Sequence, residues 1–315
     1  MRSLRALAAM IVAAFLATGT GALAQTVTPY GTIANAGGVA LGVGGEVFAV
    51  DRNTGIVYRV APGGATTQYG QAVGNDAYGV ARAGDGTLYV VREFFDAVYR
   101  FDAGCATPCA PTLMATDARP FATAVDSAGN LYVGSFIQGE IRRYAAGCAA
   151  PCTATVFATG LPQVSGLAFD AAGDLFAAQA GGAIQRFAAG CVAPCSPTTY
   201  ASGLATGLRG LVIGEAGSLY YVNRLTDQLL RVPAGGGVGT ATVVTTYPAW
   251  DFPTDIDRDP ATGVLYVASI GAPTGLFAVA PPPPAIPTLS EWALILLGVM
   301  LAGGAAVLAQ RRLTV

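Results

Sequence analysis

Six cysteines stand in three pairs, Cys105 with Cys109, Cys148 with Cys152 and Cys191 with Cys195, inside the near-repeats AGCATPCAP, AGCAAPCTA and AGCVAPCSP. Two thiols four positions apart can close a disulfide, or supply two of the four ligands that zinc requires. Zinc lacks the other two ligands, because the chain has no histidine and successive pairs lie 43 residues apart. A c-type haem needs Cys-x-x-Cys-His, and neither that spacing nor the histidine is present. All 17 basic residues are arginines. A Ser-His-Asp triad, a histidine-held metal and a Schiff-base lysine each miss an essential side chain. Catalysis is left with carboxylates, and Glu93, Asp76 and Asp255 are the candidates for holding a divalent ion.

The pairs recur because the elements around them recur. GGEVFAV, DGTLYVV, AGNLYVG, AGDLFAA, AGSLYYV and TGVLYVA align on Phe48, Tyr89, Tyr132, Phe176, Tyr220 and Tyr266, spaced by 41, 43, 44, 44 and 46 residues. Each unit reads as a small-residue strand, a turn, the aromatic strand, a second turn, a third strand such as IQRF at 184–187, and a short fourth such as TTQYG. Four strands at this period make one propeller blade. The expected fold is therefore all-β, a six-bladed β-propeller of four-stranded blades. The sixth unit has only three strands before the prolines at 281–284, while VTPYGTIA at 27–34 resembles the missing fourth. The N-terminal strand is expected to close the last blade and leave no open edge.

The cysteine pairs all fall between third and fourth strands. Units one and five put glycine-rich turns there instead, PGGAT and AGGGVGTA. That exchange predicts local disulfides that close turns, with Pro108, Pro151 and Pro194 bending each loop. Asp126, Asp170 and Asp259, each followed by a glycine, predict hairpin turns, with sparse oxygen ligands for calcium as the alternative. Arg59, Arg100, Arg143, Arg186 and Arg231 recur in the third strands, where their stems can cover apolar blade surface.

The ends of the chain read as addresses. Arg2 and Arg5 precede an apolar run, and Ala22-Leu23-Ala24 precedes Gln25, the pattern of a signal peptide over residues 1–24. The propeller is expected over 25–280 and a proline-rich linker over 281–285. Residues 286–315 hold a short motif, an apolar stretch from Ala293 to Ala309 about long enough for a membrane helix, and Arg311 and Arg312. Charged residues are 11% of the chain and the formal net charge is −2, which gives no basic footprint for nucleic acid. Hydrophobic content of 53% argues for a packed core, although the two apolar tails inflate the mean hydropathy of +0.51.

Two resemblances follow. Ile286, Pro287, Thr288, Leu289 and Trp292, followed by span and basic tail, resemble the IPTL-CTERM family of sorting signals, relatives of PEP-CTERM tails; Ala293 stands where that family has Gly. The resemblance implies an exosortase-type membrane enzyme as partner and the envelope or surface of a Gram-negative bacterium as destination. The blade phrases, RPFATAVDSAGNLYVGSFIQGEIRRY above all, resemble the NHL-repeat family of six-bladed propellers, though its aspartate survives only as Asp51 and is Ser135, Gln179 and Ser269 elsewhere. Gluconolactonase-like and streptogramin-lyase-like propellers share this geometry, so function must come from the site.

Recognition residues are expected where turns between second and third strands meet the links between blades. These loops supply Asp51, Arg52, Asn75, Arg119, Phe121, Phe136, Gln163, Arg209, Asn223 and Asp255. REFFDA and YPAWDFPTD are the densest in aromatics and charge, and the ligand-binding set drawn around them is Arg92, Glu93, Phe94, Phe95, Asp76, Tyr78, Trp250, Asp251, Phe252 and Arg224. No catalytic residue, metal ligand or cofactor is assigned. Three functions stay open: a non-catalytic binder of a ligand or protein, a metal-assisted lactonase-like hydrolase or lyase using the channel carboxylates, and a self-associating surface component.

Overall fold

The structure, a computed structural model, describes residues 25–246, 251–271 and 275–281. One compact unit spans Ala24–Pro281. The expected signal peptide, sorting motif and C-terminal apolar helix lie outside the described residues. Among those described, no helix is long and apolar enough to cross a membrane.

Short strands punctuated by tight turns give six sheets, each of four antiparallel strands, one of which gains a two-residue fifth strand in parallel. Blade 1 runs through Ala36–Leu41, Val47–Asp51, Val57–Val60 and Thr66–Gly70. Blade 2 runs through Ala77–Arg82, Leu88–Arg92, Ala97–Phe101 and Thr112–Thr116. Blades 3, 4 and 5 begin at Pro120–Val125, Val164–Phe169 and Leu208–Ile213 and repeat the order. Blade 6 consists of Pro253–Arg258, Leu265–Ser269 and Leu276–Val279, and its outer strand is Val27–Pro29 from the other end of the chain. The closing ladder pairs Val27 with Val279 and Pro29 with Phe277. Ile33, just beyond it, is fully buried, and the Tyr30 ring packs on Tyr266 at 5.0 Å.

The inner strands stand side by side around the axis, and their small residues let them do so. A Cβ on Gly38 would meet the Tyr78 carbonyl oxygen at 2.1 Å, and one on Gly79 would meet that of Phe121 at 2.4 Å. The six joints differ in one respect. Where blade 6 meets blade 1, Asp255 Oδ2 accepts from Val39 N at 3.1 Å and Asp257 Oδ2 from Leu41 N at 2.6 Å. These carboxylates stitch the last inner strand to the first. Core clusters lie between successive blades, as where Tyr132 meets Phe157 and Phe169 edge-on at 5.0 and 4.9 Å. Burying each such ring contributes about 2 to 3 kcal/mol.

The recurrent arginines sit opposite the aromatic anchors: Arg59 pairs with Phe48, Arg100 with Tyr89, Arg143 with Tyr132, Arg186 with Phe176 and Arg231 with Tyr220. Most also meet an acid, Arg59 with Glu46, Arg100 with Asp102, Arg186 with Asp174 and Arg231 with Glu215. The hairpin aspartates turn inward: Asp126 Oδ1 accepts from Ala128 N and Asn130 N, and Asp170 Oδ1 from Ala172 N and Asp174 N.

All three cysteine pairs are disulfide-bonded, with Cα separations of 5.4, 5.7 and 5.8 Å. The peptide bonds before Pro108, Pro151 and Pro194 are cis. The loops do more than close turns. Cys109 N donates to Tyr69 O of the preceding blade at 2.7 Å, Cys152 N to Met114 O at 2.8 Å and Cys195 N to Phe157 O at 2.7 Å. Each disulfide loop thus caps the outer strand of the blade before it, and its second cysteine is buried there. The glycine-rich loop of blade 5 has the same task, for Gly237–Val238 pairs in parallel with Ala201 and Ser202 of blade 4. Unpaired edge groups, the liability of an outer strand, are thus partly covered in blades 1 to 4 by the loop of the next blade.

Candidate functional site

Strand direction assigns the two ends of the ring different roles. Turns between first and second strands and the disulfide loops share one face. Turns between second and third strands and the blade links share the other, here the loop face. The channel has three sections. A cavity of about 250 Å³, lined by the later residues of the inner strands with Asp255 and Asp257, opens toward the disulfide face. A neck of about 20 Å³ follows, at Gly79, Thr123, Ser165 and Asp255. Beyond it the loop face holds a funnel of about 440 Å³, lined by Arg52, Tyr78, Glu93, Phe94, Arg119, Phe121, Phe136, Ile137, Arg209, Arg224, Phe252, Thr254 and Ile270.

One backbone device aims these side chains. The residue just before each inner strand is left-handed: Asn35, Asp76, Arg119, Gln163 and Phe252 have φ between 52° and 58°, and blade 5 has Gly207 at 99°. A register shift follows it in every blade. Glycine tolerates this conformation and other residues take it at a cost of about 1 to 2 kcal/mol. Blades 3 and 6 place funnel residues there, Arg119 and Phe252, and blade 2 places Asp76, which holds Arg52.

Guanidinium groups lie over rings around the wall: Arg119 over Phe94 at 3.9 Å, Arg209 over Phe136 at 4.7 Å and Phe121 at 5.3 Å, Arg52 over Tyr78 at 5.2 Å and Arg224 over Phe252 at 5.4 Å. Such stacks orient the cation and keep its donor edge free. Arg52 donates to Asp76 at 2.7 Å and to Tyr78 Oη at 2.6 Å, and Arg119 to Glu93 at 3.2 Å. Burial pushes the Glu93 carboxyl up, against the pull of Arg119 and Arg209. Arg209 is only 5% exposed, and its one hydrogen bond among the described residues goes from Nη1 to Leu208 O at 2.7 Å. Burial, with the charge of Arg224 added, pushes it down to about 10. In the link between blades 2 and 3, two residues before Arg119, buried Asp117 accepts from Tyr144 Oη at 2.7 Å and meets Arg142 at 3.1 Å.

Of the ten residues assigned to binding from sequence, Tyr78, Glu93, Phe94, Phe252 and Arg224 line the funnel. Asp76 stands behind it on Arg52. Arg92 and Phe95 stack on each other at 3.8 Å, with Arg92 Nε donating to Asn75 O, and do not line it. Asp251 is exposed and its carbonyl accepts from Ser269 Oγ. Trp250 lies outside the described residues. Arg52, Arg119, Phe121, Phe136 and Arg209 belonged to the wider loop-face set; Ile137, Thr254 and Ile270 were not in it. Among the described residues, no group of three or more His, Cys, Asp or Glu side chains could hold a metal ion. Glu93 and Asp76 are tied to arginines, and Asp255 accepts backbone N–H groups from Val39 and Ile256.

The comparisons divide at the end of the propeller. Residues 284–312 match the IPTL-CTERM motif. That sorting signal marks an exported, cell-surface protein. No curated protein sequence matches the chain. Among solved structures, virginiamycin B lyase from Staphylococcus aureus is similar at 11% identity and a TM-score of 0.56, covering 81% of this chain and 98% of that one. An auxiliary nutrient binding protein from Bacteroides thetaiotaomicron has 10% identity and a TM-score of 0.63, covering 81% and 76%. A putative gluconolactonase has 13% identity and a TM-score of 0.62, covering 82% and 94%. Likeness at this identity shows the propeller fold alone.

Proposed function

We propose that this IPTL-CTERM protein is a non-catalytic binding propeller that captures a ligand in the funnel of its loop face. Residues 1–24 are removed on export, residues 25–280 form the working body, 281–285 are a spacer, and the tail from 286 is recognised by an exosortase-type enzyme in a Gram-negative envelope. The observation that carries the reading is the composition of the funnel wall. It joins aromatic rings to oriented guanidinium groups, as in Arg119 over Phe94 and Arg209 over Phe136. Aromatic and arginine side chains in a desolvated concavity are the usual anchors of recognition. Capture of envelope glycans or proteins by the purified chain tests it. Phe252→Ala with Arg224→Ala is expected to abolish capture and Cys105→Ala with Cys109→Ala to leave it; equal capture by both would contradict the reading.

A hydrolase or lyase is the second reading, favoured by one observation. Asp255 faces the channel neck with its carboxyl pushed up to about 7 by burial, a value suited to a general base. Turnover of a lactone that disappears in Asp255→Asn would support it.

A further inference from the structure

Within the funnel, positive charge exceeds negative. Four guanidinium groups line it against one carboxylate, Glu93. Arg52 is neutralised by Asp76 behind the wall, and Arg119 by Glu93. Arg209 and Arg224 form no ion pair among the described residues, and the Nε atom of each is buried without a hydrogen-bond partner. The charge of Arg224 raises the cost of charging Arg209. An arginine 5% exposed is normally matched by a carboxylate, because burying an unmatched charge is costly. Glu93 attracts Arg209 from a distance, but the guanidinium it bonds is that of Arg119. Phe121, Phe136 and Phe252 hold both guanidinium planes, so neither can swing out to water without leaving its ring.

Resting on the binding reading above, we infer that the funnel is a receptor for an oxyanion, a carboxylate, phosphate or sulfate carried by a small molecule, which Arg209 and Arg224 take as their missing counter-charge. The guanidinium fork suits such groups, since its N–H donors match two oxygens in one plane. Phe121 and Phe136, with the exposed Ile137 beside them, give the rest of the ligand apolar surface to pack against. The volume admits a molecule the size of an acidic monosaccharide.

Calorimetric titration of the purified full chain with D-galacturonate, inorganic phosphate, inorganic sulfate and D-galactose tests the inference. At least one of the three anions is expected to bind at one site per chain, and galactose not to bind. Comparing the three anions tells whether the oxyanion is planar or tetrahedral. Arg209→Met is expected to weaken that anion at least tenfold and Arg209→Lys to recover part of the loss. If Arg209→Met does not fold, Arg224→Gln, nearer the rim, is expected to cost several-fold. The inference is overturned if no anion binds, if galactose binds as well as galacturonate, or if the folded arginine variants bind like the wild type. A glycan or protein captured in the funnel yet indifferent to all three anions would overturn the charge assignment while leaving the binding reading intact.

Discussion

The two faces of the ring are made by the same strands but follow different local rules. On the disulfide face most recurrent polar groups are matched nearby: hairpin aspartates hold their own backbone, four of the five third-strand arginines meet acids, and cysteines meet each other. On the loop face, arginine and phenylalanine occupy left-handed backbone that glycine fills more cheaply, and buried Arg209 and half-buried Arg224 meet no acid among the described residues. A chain departs from local consistency where another demand outweighs it, which locates function on the loop face.

The largest effect that would break this contrast comes from the closing strand, because both faces depend on a closed ring. Removing residues 25–33 deletes the ladder to Leu276–Val279 and the buried Ile33, and is expected to cost about 5 kcal/mol or more in chemical denaturation. Next is the buried acid between blades 2 and 3. Asp117→Ala leaves the Tyr144 hydroxyl without its acceptor and Arg142 with Glu140 alone, and is expected to cost about 2 to 3 kcal/mol in chemical denaturation. By contrast, Cys148→Ala with Cys152→Ala is expected to cost about 2 kcal/mol at most and to leave binding unchanged, since so short a loop constrains the unfolded chain little.

How far sequence reached into this molecule follows from what repetition encodes. Six aromatic anchors with regular spacing fixed blade number, strand order and the borrowed strand, because each anchor occupies the same place in a sheet. The cross-blade duty of the cysteine loops was not legible, since a four-residue spacing reports ring closure and is silent on which neighbour's carbonyl the Cys109 N–H meets. Gly237–Val238 was hidden because glycine-rich sequence signals a turn even when it adds a strand. At the site, charge and aromatics drew the eye to REFFDA, yet Arg92 and Phe95 satisfy each other beside the funnel. Ile137, Thr254 and Ile270 carry no chemical signal, and only the ring brings them to it. The repeated left-handed residue had a weak signal in Gly207, the one glycine at that position.

Two smaller effects sharpen the contrast. At the closing seam, burial pushes Asp255 up to about 7 and Asp257 up to about 6, while both titrate near 4 when unfolded. The folded form therefore holds more protons between these values, so this contribution to stability is full below pH 4 and is lost as pH rises through 6 to 7. Asp255→Asn keeps an oxygen for Val39 N–H and is expected to flatten the fall in melting temperature between pH 5 and 8, most visibly at the alkaline end. Smallest of all, Gln163→Gly relieves a left-handed residue outside the funnel and is expected to change stability by less than about 1 kcal/mol, in the stabilising direction.

The most direct measurement of the central claim is a nitrogen-15 NMR titration that follows the arginine side-chain Nε–H signals and the cysteine backbone amides together, with the anion that binds. The account predicts shifts for Arg209 and Arg224, smaller ones for Arg52 and Arg119, and none for Cys105, Cys148 or Cys191. Shifts confined to the cysteine loops or the third-strand arginines, with Arg209 and Arg224 unmoved, would contradict it.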